Sequence, residues 1–322
     1  MKILFTGANG FLGSAIVHLA VTHGISVMAT DQTESHRFTN VDFIPANILD
    51  PNSLSKAFQG VDGVCHVAGL AHIFDKARIL RAPFHSVNVM GTENVANAAI
   101  RAGVQHFVFI SSVSVYGGVE QDRAEDSECH PEGPYAESKW QAERSLIELF
   151  QKEGVNLTIL RLATLYGEED PGNVARLIRA IERGRFVWIG QGNNLKSLLH
   201  REDAARACIA VLKSPASGIN IYNVSAPPCK MHDIVAEIAH AWGRPVPSWH
   251  VPASLASNST QLLKRIAFNR SRLSNVHDTL EKWLADDYYN TDKFWRAFNF
   301  QTKINLEEGI RREVDWLRRT QK

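Results

Sequence analysis

A chain of 322 residues with 44% hydrophobic and 21% charged residues has the make-up of a globular protein with a full core, long enough for a large domain with a smaller one attached. Lys plus Arg number 35 against 34 for Asp plus Glu, so no long-range field gathers nucleic acid or an anionic membrane surface. Cys65, Cys129, Cys208 and Cys229 show no CxxC or Cys/His metal spacing, no stretch is apolar for long enough to cross a bilayer, and the amino terminus reaches Gly7 too early for a secretory signal. Reduced thiols, no metal, no membrane insertion and a cytoplasmic location are expected.

In chain order, the first half alternates short apolar runs with longer segments of helical period, the order of an α/β protein with helices on both faces of a parallel sheet. Strands are expected at residues 2–6, 26–30, 42–45, 63–67, 106–111 and 156–160, and helices at 10–21, 51–58, 87–102 and 135–151. Beyond Tyr166-Gly167 the pattern becomes mixed, with a helix at 174–183, a short strand at 186–189, a helix at 202–212 and a small, polar loop at 253–261. At the carboxyl end Leu306, Ile310, Val314 and Leu317 recur at helical spacing behind an Asn305/Glu308 capping pair, which reads as packing rather than chemistry.

Thr6-Gly7-Ala8-Asn9-Gly10-Phe11-Leu12-Gly13 follows the first strand and opens the first helix, the context a dinucleotide-binding loop needs. Gly7 permits the tight turn, Gly10 lets the backbone approach a pyrophosphate, Gly13 allows close helix packing, and the free N–H groups of the helix terminus bind the anion. Asp31 ends the second strand, where an acid accepts hydrogen bonds from the adenosine ribose hydroxyls. That favours NAD over NADP, a preference moderated by the nearby His36 and Arg37.

Tyr135-Ala136-Glu137-Ser138-Lys139 puts a phenol and an ammonium on one helix face. A neighbouring cation and an oxidised nicotinamide favour the phenolate, so that Tyr135 can exchange a proton with a hydroxyl or carbonyl. Upstream, Ile110-Ser111-Ser112-Val113-Ser114-Val115-Tyr116-Gly117 ends an apolar strand at its carboxyl edge, where open α/β sheets bind ligands, and one of its serines can bond the reacting oxygen. Ser111 and Ser114 can equally cap or form a turn, and alternation along the strand does not choose among them.

With these motifs in order, the sequence resembles the extended short-chain dehydrogenases/reductases of the NAD-dependent epimerase/dehydratase family over most of its length. His66-Val67-Ala68-Gly69, Asn88-Val89-Met90-Gly91-Thr92, Arg161 to Gly167 and Ser197 to Asp203 join the match. The resemblance implies a Rossmann-type doubly wound sheet over residues 1–166, with 198–224 returning to it, and a smaller interleaved α/β substrate-binding lobe from 167–197 and 225–322. It implies a tetrad of Asn88, Ser112, Tyr135 and Lys139. It places Asn47 and Ile48 against adenine, Val67, Ala68 and Gly69 beside the cofactor, and Asn88 near the nicotinamide. From the residues alone, Asn47 and Asn88 can equally be turn or capping residues.

Within the family the sequence looks most like enzymes acting on nucleotide sugars, 4-epimerases and 4-keto reductases of polysaccharide pathways, with a nucleotide diphosphate sugar as substrate. Asn173 matches a position near the diphosphate, and Lys196 stands where the family often has a phosphate-binding arginine. Lysine lacks the bidentate fork, and from the residues alone Lys196 is as readily a solvated loop charge. Thr164 replaces a frequent substrate-contacting asparagine, Ser114 and Ser112 face the same substrate region, and Arg270 and Arg272 are the candidates for a late phosphate-gripping arginine. These departures keep open a hydroxysteroid- or flavonol-type alcohol dehydrogenase and, from another class, a catalytically silent NAD(H) sensor. Val113-Ser114 stands where dehydratases carry an Asp-Glu pair. Analogy implies a homodimer through the helices after Asn88 and around Tyr135, although Trp140, Leu146 and Phe150 can as readily be buried against the protein's own sheet.

Overall fold

The computed structural model describes residues 1–34, 37–38, 41–71, 81–118, 122–251 and 285–320. Seven strands form one parallel sheet: β1 (Lys2–Thr6), β2 (Ser26–Thr30), β3 (Asp42–Phe43), β4 (Gly63–His66), β5 (His106–Ser112), β6 (Asn156–Leu162) and an edge strand, Ile219–Val224. Their spatial order is edge strand, β6, β5, β4, β1, β2, β3. The order reverses between β1 and β4, which opens a crevice at the carboxyl ends of these two strands. The central strands are buried on both faces and read as near-continuous apolar runs, Phe107, Val108, Phe109 and Ile110 of β5 among them.

Helices cover both faces. On one side α1 (Phe11–Thr22) packs with a later helix, Arg201–Lys213, through Leu12, Ile16, Cys208 and Leu212. On the other lie α2 (Pro51–Ala57), α3 (Arg81–Phe84), α4 (Gly91–Arg101) and α5 (Gly133–Glu153), whose Leu54, Val95, Leu146 and Phe150 meet the sheet. Leu146 and Phe150 are fully buried in this core, so the sheet of their own chain uses them.

A second core joins α6 (Asn173–Glu182) to the helices Met231–Ala241 and Leu306–Thr320, through Ile178, Trp188, Ile234, Ile238, Ile310 and Val314. Asn305 Oδ1 accepts the Glu308 N–H at 2.9 Å at the start of the last helix.

Several elements differ from the sequence expectation. The expected helix 87–102 is a π-helical turn, His85–Met90, running into α4. Short strands at Thr164–Tyr166 and Leu198–His200, each of three residues, and the edge strand itself are additional to those expected. The expected loop at 253–261 lies outside the described residues.

Candidate active site

A cavity of about 1220 Å³ occupies the crevice and extends toward the second core. One end is walled by Gly7, Gly10, Phe11, Leu12, Gly13 and Asp31, and the other by Ser112, Ser114, Tyr135, Thr164 and Asn173. Ile48, Val67, Ala68, Gly69 and Lys139 lie between. Residues spread over most of the chain thus share one wall.

The glycine loop is an anion cradle by construction. Gly7 has φ +68°, and a Cβ there would stand 2.6 Å from the Ala68 nitrogen. A Cβ on Gly13 would stand 2.0 Å from the Gly7 carbonyl oxygen. Gly10 caps α1 without any side-chain hydrogen bond, so the first-turn N–H groups face the cavity uncapped. Asp31 Oδ2 accepts the Asn9 N–H at 3.0 Å and its Oδ1 accepts the Gln32 N–H at 2.7 Å, which fixes the carboxylate at the end of β2. Asn9 donates its amide to the Thr33 carbonyl at 2.9 Å, and its Oδ1 is buried with no hydrogen-bond partner. A turn with no room for a Cβ and an uncapped helix terminus fit a dinucleotide pyrophosphate, with a ribose beside Asp31.

At the other end, Ser112 closes β5 and Tyr135 and Lys139 occupy the first turns of α5. Ser112 Oγ accepts the Ser114 N–H at 3.1 Å, and the Ser112 and Tyr135 side chains line the same wall. Burial raises the Tyr135 phenol above its ordinary value, and the Ser112 hydroxyl opposes the rise. The expected lowering of the phenol is therefore not a property of the polypeptide at rest, because desolvation outweighs the opposing effect of Ser112. Lys139 Nζ donates to the Ile110 carbonyl at 2.7 Å and lies 4.7 Å from the Phe109 ring centre. Burial brings its ammonium down to about 8, opposed by Glu143 one turn further along α5. The Ser114 hydroxyl is buried without a partner in the same wall.

Other candidates stand behind the wall. Asn88 is fully buried: its Oδ1 accepts the Leu70 N–H at 2.7 Å, and its amide donates to the Leu70 carbonyl and the Ser138 hydroxyl at 3.0 and 2.9 Å. It clamps the segment after Gly69 to α5. Asn47 Oδ1 accepts the Leu49 N–H at 3.0 Å in a turn between the wall residues Ala46 and Ile48. Lys196 Nζ donates to the Ala285 carbonyl at 2.9 Å, close to Asp286 and Asp287. Arg270 and Arg272 lie outside the described residues.

Three features escaped the sequence. Arg161 and Glu143 form a buried ion pair behind Ser111. Asp170 accepts the Gly172 and Ala175 N–H groups at 2.6 and 2.9 Å, setting the start of α6 and hence Asn173. Arg37 reaches Glu169 at 2.9 Å across the cofactor end. Only the first had a local signal, since Glu143 repeats Lys139 at helical spacing.

Comparison with known proteins accords with this geometry. The N-acetyl-alpha-D-glucosaminyl-diphospho-ditrans,octacis-undecaprenol 4-epimerase of Escherichia coli O157:H7 is 30% identical over 324 residues, covering 98% of this chain and 95% of that protein. The 2-alkyl-3-oxoalkanoate reductase of Stenotrophomonas maltophilia (strain K279a) is 27% identical over 337 residues, covering 97% and 98%. The structure of MoeE5 in complex with UDP-glucose and NAD superposes with a TM-score of 0.79 at 25% identity over 100% of both chains. Residues 3–225 match the NAD dependent epimerase/dehydratase family. The chain belongs to that family, and is an NAD-dependent enzyme of the extended short-chain dehydrogenase/reductase type.

Proposed function

We propose that the enzyme inverts, by oxidation and re-reduction, a hydroxyl-bearing carbon, C4, of a sugar carried on a diphosphate. The observation that carries the reading is that Ser112, Tyr135 and Lys139 line the same cavity as the Gly7, Gly10 and Gly13 cradle. Gly7, Gly10 and Gly13 with the α1 terminus would hold the dinucleotide phosphates, Asp31 the adenosine ribose, and Lys139 the nicotinamide ribose. NAD, when bound, supplies a reversible hydride acceptor.

Tyr135 takes the sugar hydroxyl proton as the hydride leaves the carbon, and returns it after the keto sugar has turned in the cleft. Ser112 bonds the reacting oxygen and keeps it in reach of the phenol. Lys139, an ammonium one turn along α5 from the phenol, would favour its ionised form. Thr164, Ser114 and Asn173 line the sugar side, and the orphaned Ser114 hydroxyl is available to the substrate.

Two of the relatives act on or hold a diphosphate-linked sugar, one on a polyprenol and one on uridine. Incubation of the purified protein with UDP-glucose, UDP-N-acetylglucosamine and an N-acetylglucosaminyl-diphospho-polyprenol, followed by NMR of the sugar, distinguishes them. The expected result is a 4-epimer from one class with no net change in NADH absorbance. Steady NADH oxidation against a keto substrate, without epimer, would make the enzyme a reductase instead.

A further inference from the structure

His66 ends β4 directly opposite Thr6 of β1 in the sheet register, at the point where strand order reverses. The imidazole is fully buried, with the Phe107 and Phe109 ring centres each 5.9 Å away. Each ring nitrogen meets a threonine hydroxyl: Nδ1 lies 2.6 Å from Thr6 Oγ1 and Nε2 lies 2.9 Å from Thr92 Oγ1.

Proton counting fixes the direction of these bonds. The Thr92 hydroxyl has one proton, which it donates to the Asn88 main-chain carbonyl at 2.7 Å. Thr92 can then only accept from His66, so Nε2 carries the hydrogen. A neutral ring leaves Nδ1 as an acceptor for the Thr6 hydroxyl, whose own oxygen accepts the Val67 and Ala68 N–H groups at 3.2 Å each. Beyond Asn88 the series continues, since the Asn88 amide donates to Ser138 Oγ and Ser138 donates to the Tyr135 carbonyl at 2.8 Å. One directed series therefore joins the backbone beneath the Gly7 turn to the helix turn that presents Tyr135.

We propose that His66 is a positioning residue: fixed as the neutral Nε2–H tautomer, it sets the cofactor wall at Val67 and Ala68 against the Asn88 and Tyr135 side of the cleft. The Nδ1–H tautomer would face an oxygen that already accepts two N–H groups and would leave the Thr92 oxygen without its donor. A doubly protonated ring would add a cation beside Lys139, whose ammonium rests on the same Phe109 ring. Burial and that ammonium push the imidazole down to about 3, so the neutral form holds throughout the working range. Neighbouring groups on both sides of the crevice thus agree on one proton arrangement.

The test uses the full-length protein with NADH as the probe, together with imidazole ¹⁵N NMR of the NAD-loaded protein. The expected spectrum shows a neutral His66 protonated on Nε2. Thr92→Val, which keeps shape and removes the hydroxyl, should weaken NADH binding about tenfold by fluorescence titration, and Thr92→Ser should restore it. His66→Leu should weaken binding at least as far. A purely structural role would lower the melting temperature of Thr92→Val and leave its NADH dissociation constant unchanged. That result, or a proton found on Nδ1, would overturn the proposal.

Discussion

Arg161 of β6 grips Glu143 of α5 through Nη2 to Oε2 at 2.7 Å and Nε to Oε1 at 3.1 Å, with exposures of 2% and 0%. Ser111 donates to the same carboxylate at 2.5 Å, and the Arg161 Nη1 donates to the Tyr116 hydroxyl at 3.0 Å. The pair ties α5, which carries Tyr135 and Lys139, to the strand edge that carries Ser112. Removing only the cation strands a buried carboxylate: Arg161→Met should cost about 3–5 kcal/mol. Adding Glu143→Leu to that variant should recover most of the loss, as read by chemical denaturation.

The Gly13 contact leaves no room for adjustment, because the neighbour is backbone. A Cβ 2.0 Å from the Gly7 oxygen forces the turn and the helix apart. Gly13→Ala should abolish measurable NADH binding in fluorescence titration, or prevent folding, whereas Ala15→Gly on the same helix should leave binding within about twofold.

Tyr135→Phe keeps the ring against Phe84, with centroids 6.2 Å apart, and removes only the hydroxyl. Turnover should fall by about 10²–10⁴ while the NADH dissociation constant stays near that of the parent. Full activity in this variant would take Tyr135 out of the chemistry.

Asp31 has its carboxylate held by two main-chain N–H groups where the ribose is expected. A ribose 2′-phosphate would meet that charge at close range. Asp31→Ser should raise NADPH affinity and lower NADH affinity, each by about tenfold, in paired titrations.

Glu313 is fully buried, with Oε2 accepting the Gly167 N–H at 3.0 Å and Oε1 unpartnered. Burial, reinforced by Asp170, lifts its carboxyl from 4.5 to about 9. The folded state thus binds a proton that the unfolded state releases above its ordinary value, so this contribution to stability is lost as pH rises from about 4.5 through about 9. Glu313→Gln, neutral at every pH, should melt higher than the parent at pH 8 by about 2–4 °C, and the gap should shrink toward pH 5. A gap that does not change with pH would mean that Glu313 does not titrate there.

The glycine loop and the Tyr135/Lys139 pair were legible because each is local. A strand, a turn that excludes Cβ and a helix follow one another in sequence, and a four-residue interval on a helix fixes a shared face. Asp31 could be placed because strands end where their apolar runs end, whereas Ser112 was singled out from Ser111 and Ser114 only by the family resemblance. Lys196 and Asn47 matched family positions, yet their polar atoms engage Ala285 and Leu49, partners that spacing does not reveal.

By itself the sequence determined the alternation of strand and helix and the identity of the cradle, since backbone sterics and hydrophobic period act over a few residues. Tertiary structure alone decided which polar groups are left free for ligand and which are spent on one another. Thr6 and His66 stand sixty residues apart, yet meet as cross-strand partners at the switch point. Proton direction along that series, the clamp by Asn88 and the buried charge of Glu143 all arise from desolvation and from donor and acceptor counting in three dimensions, quantities that a one-dimensional pattern does not contain.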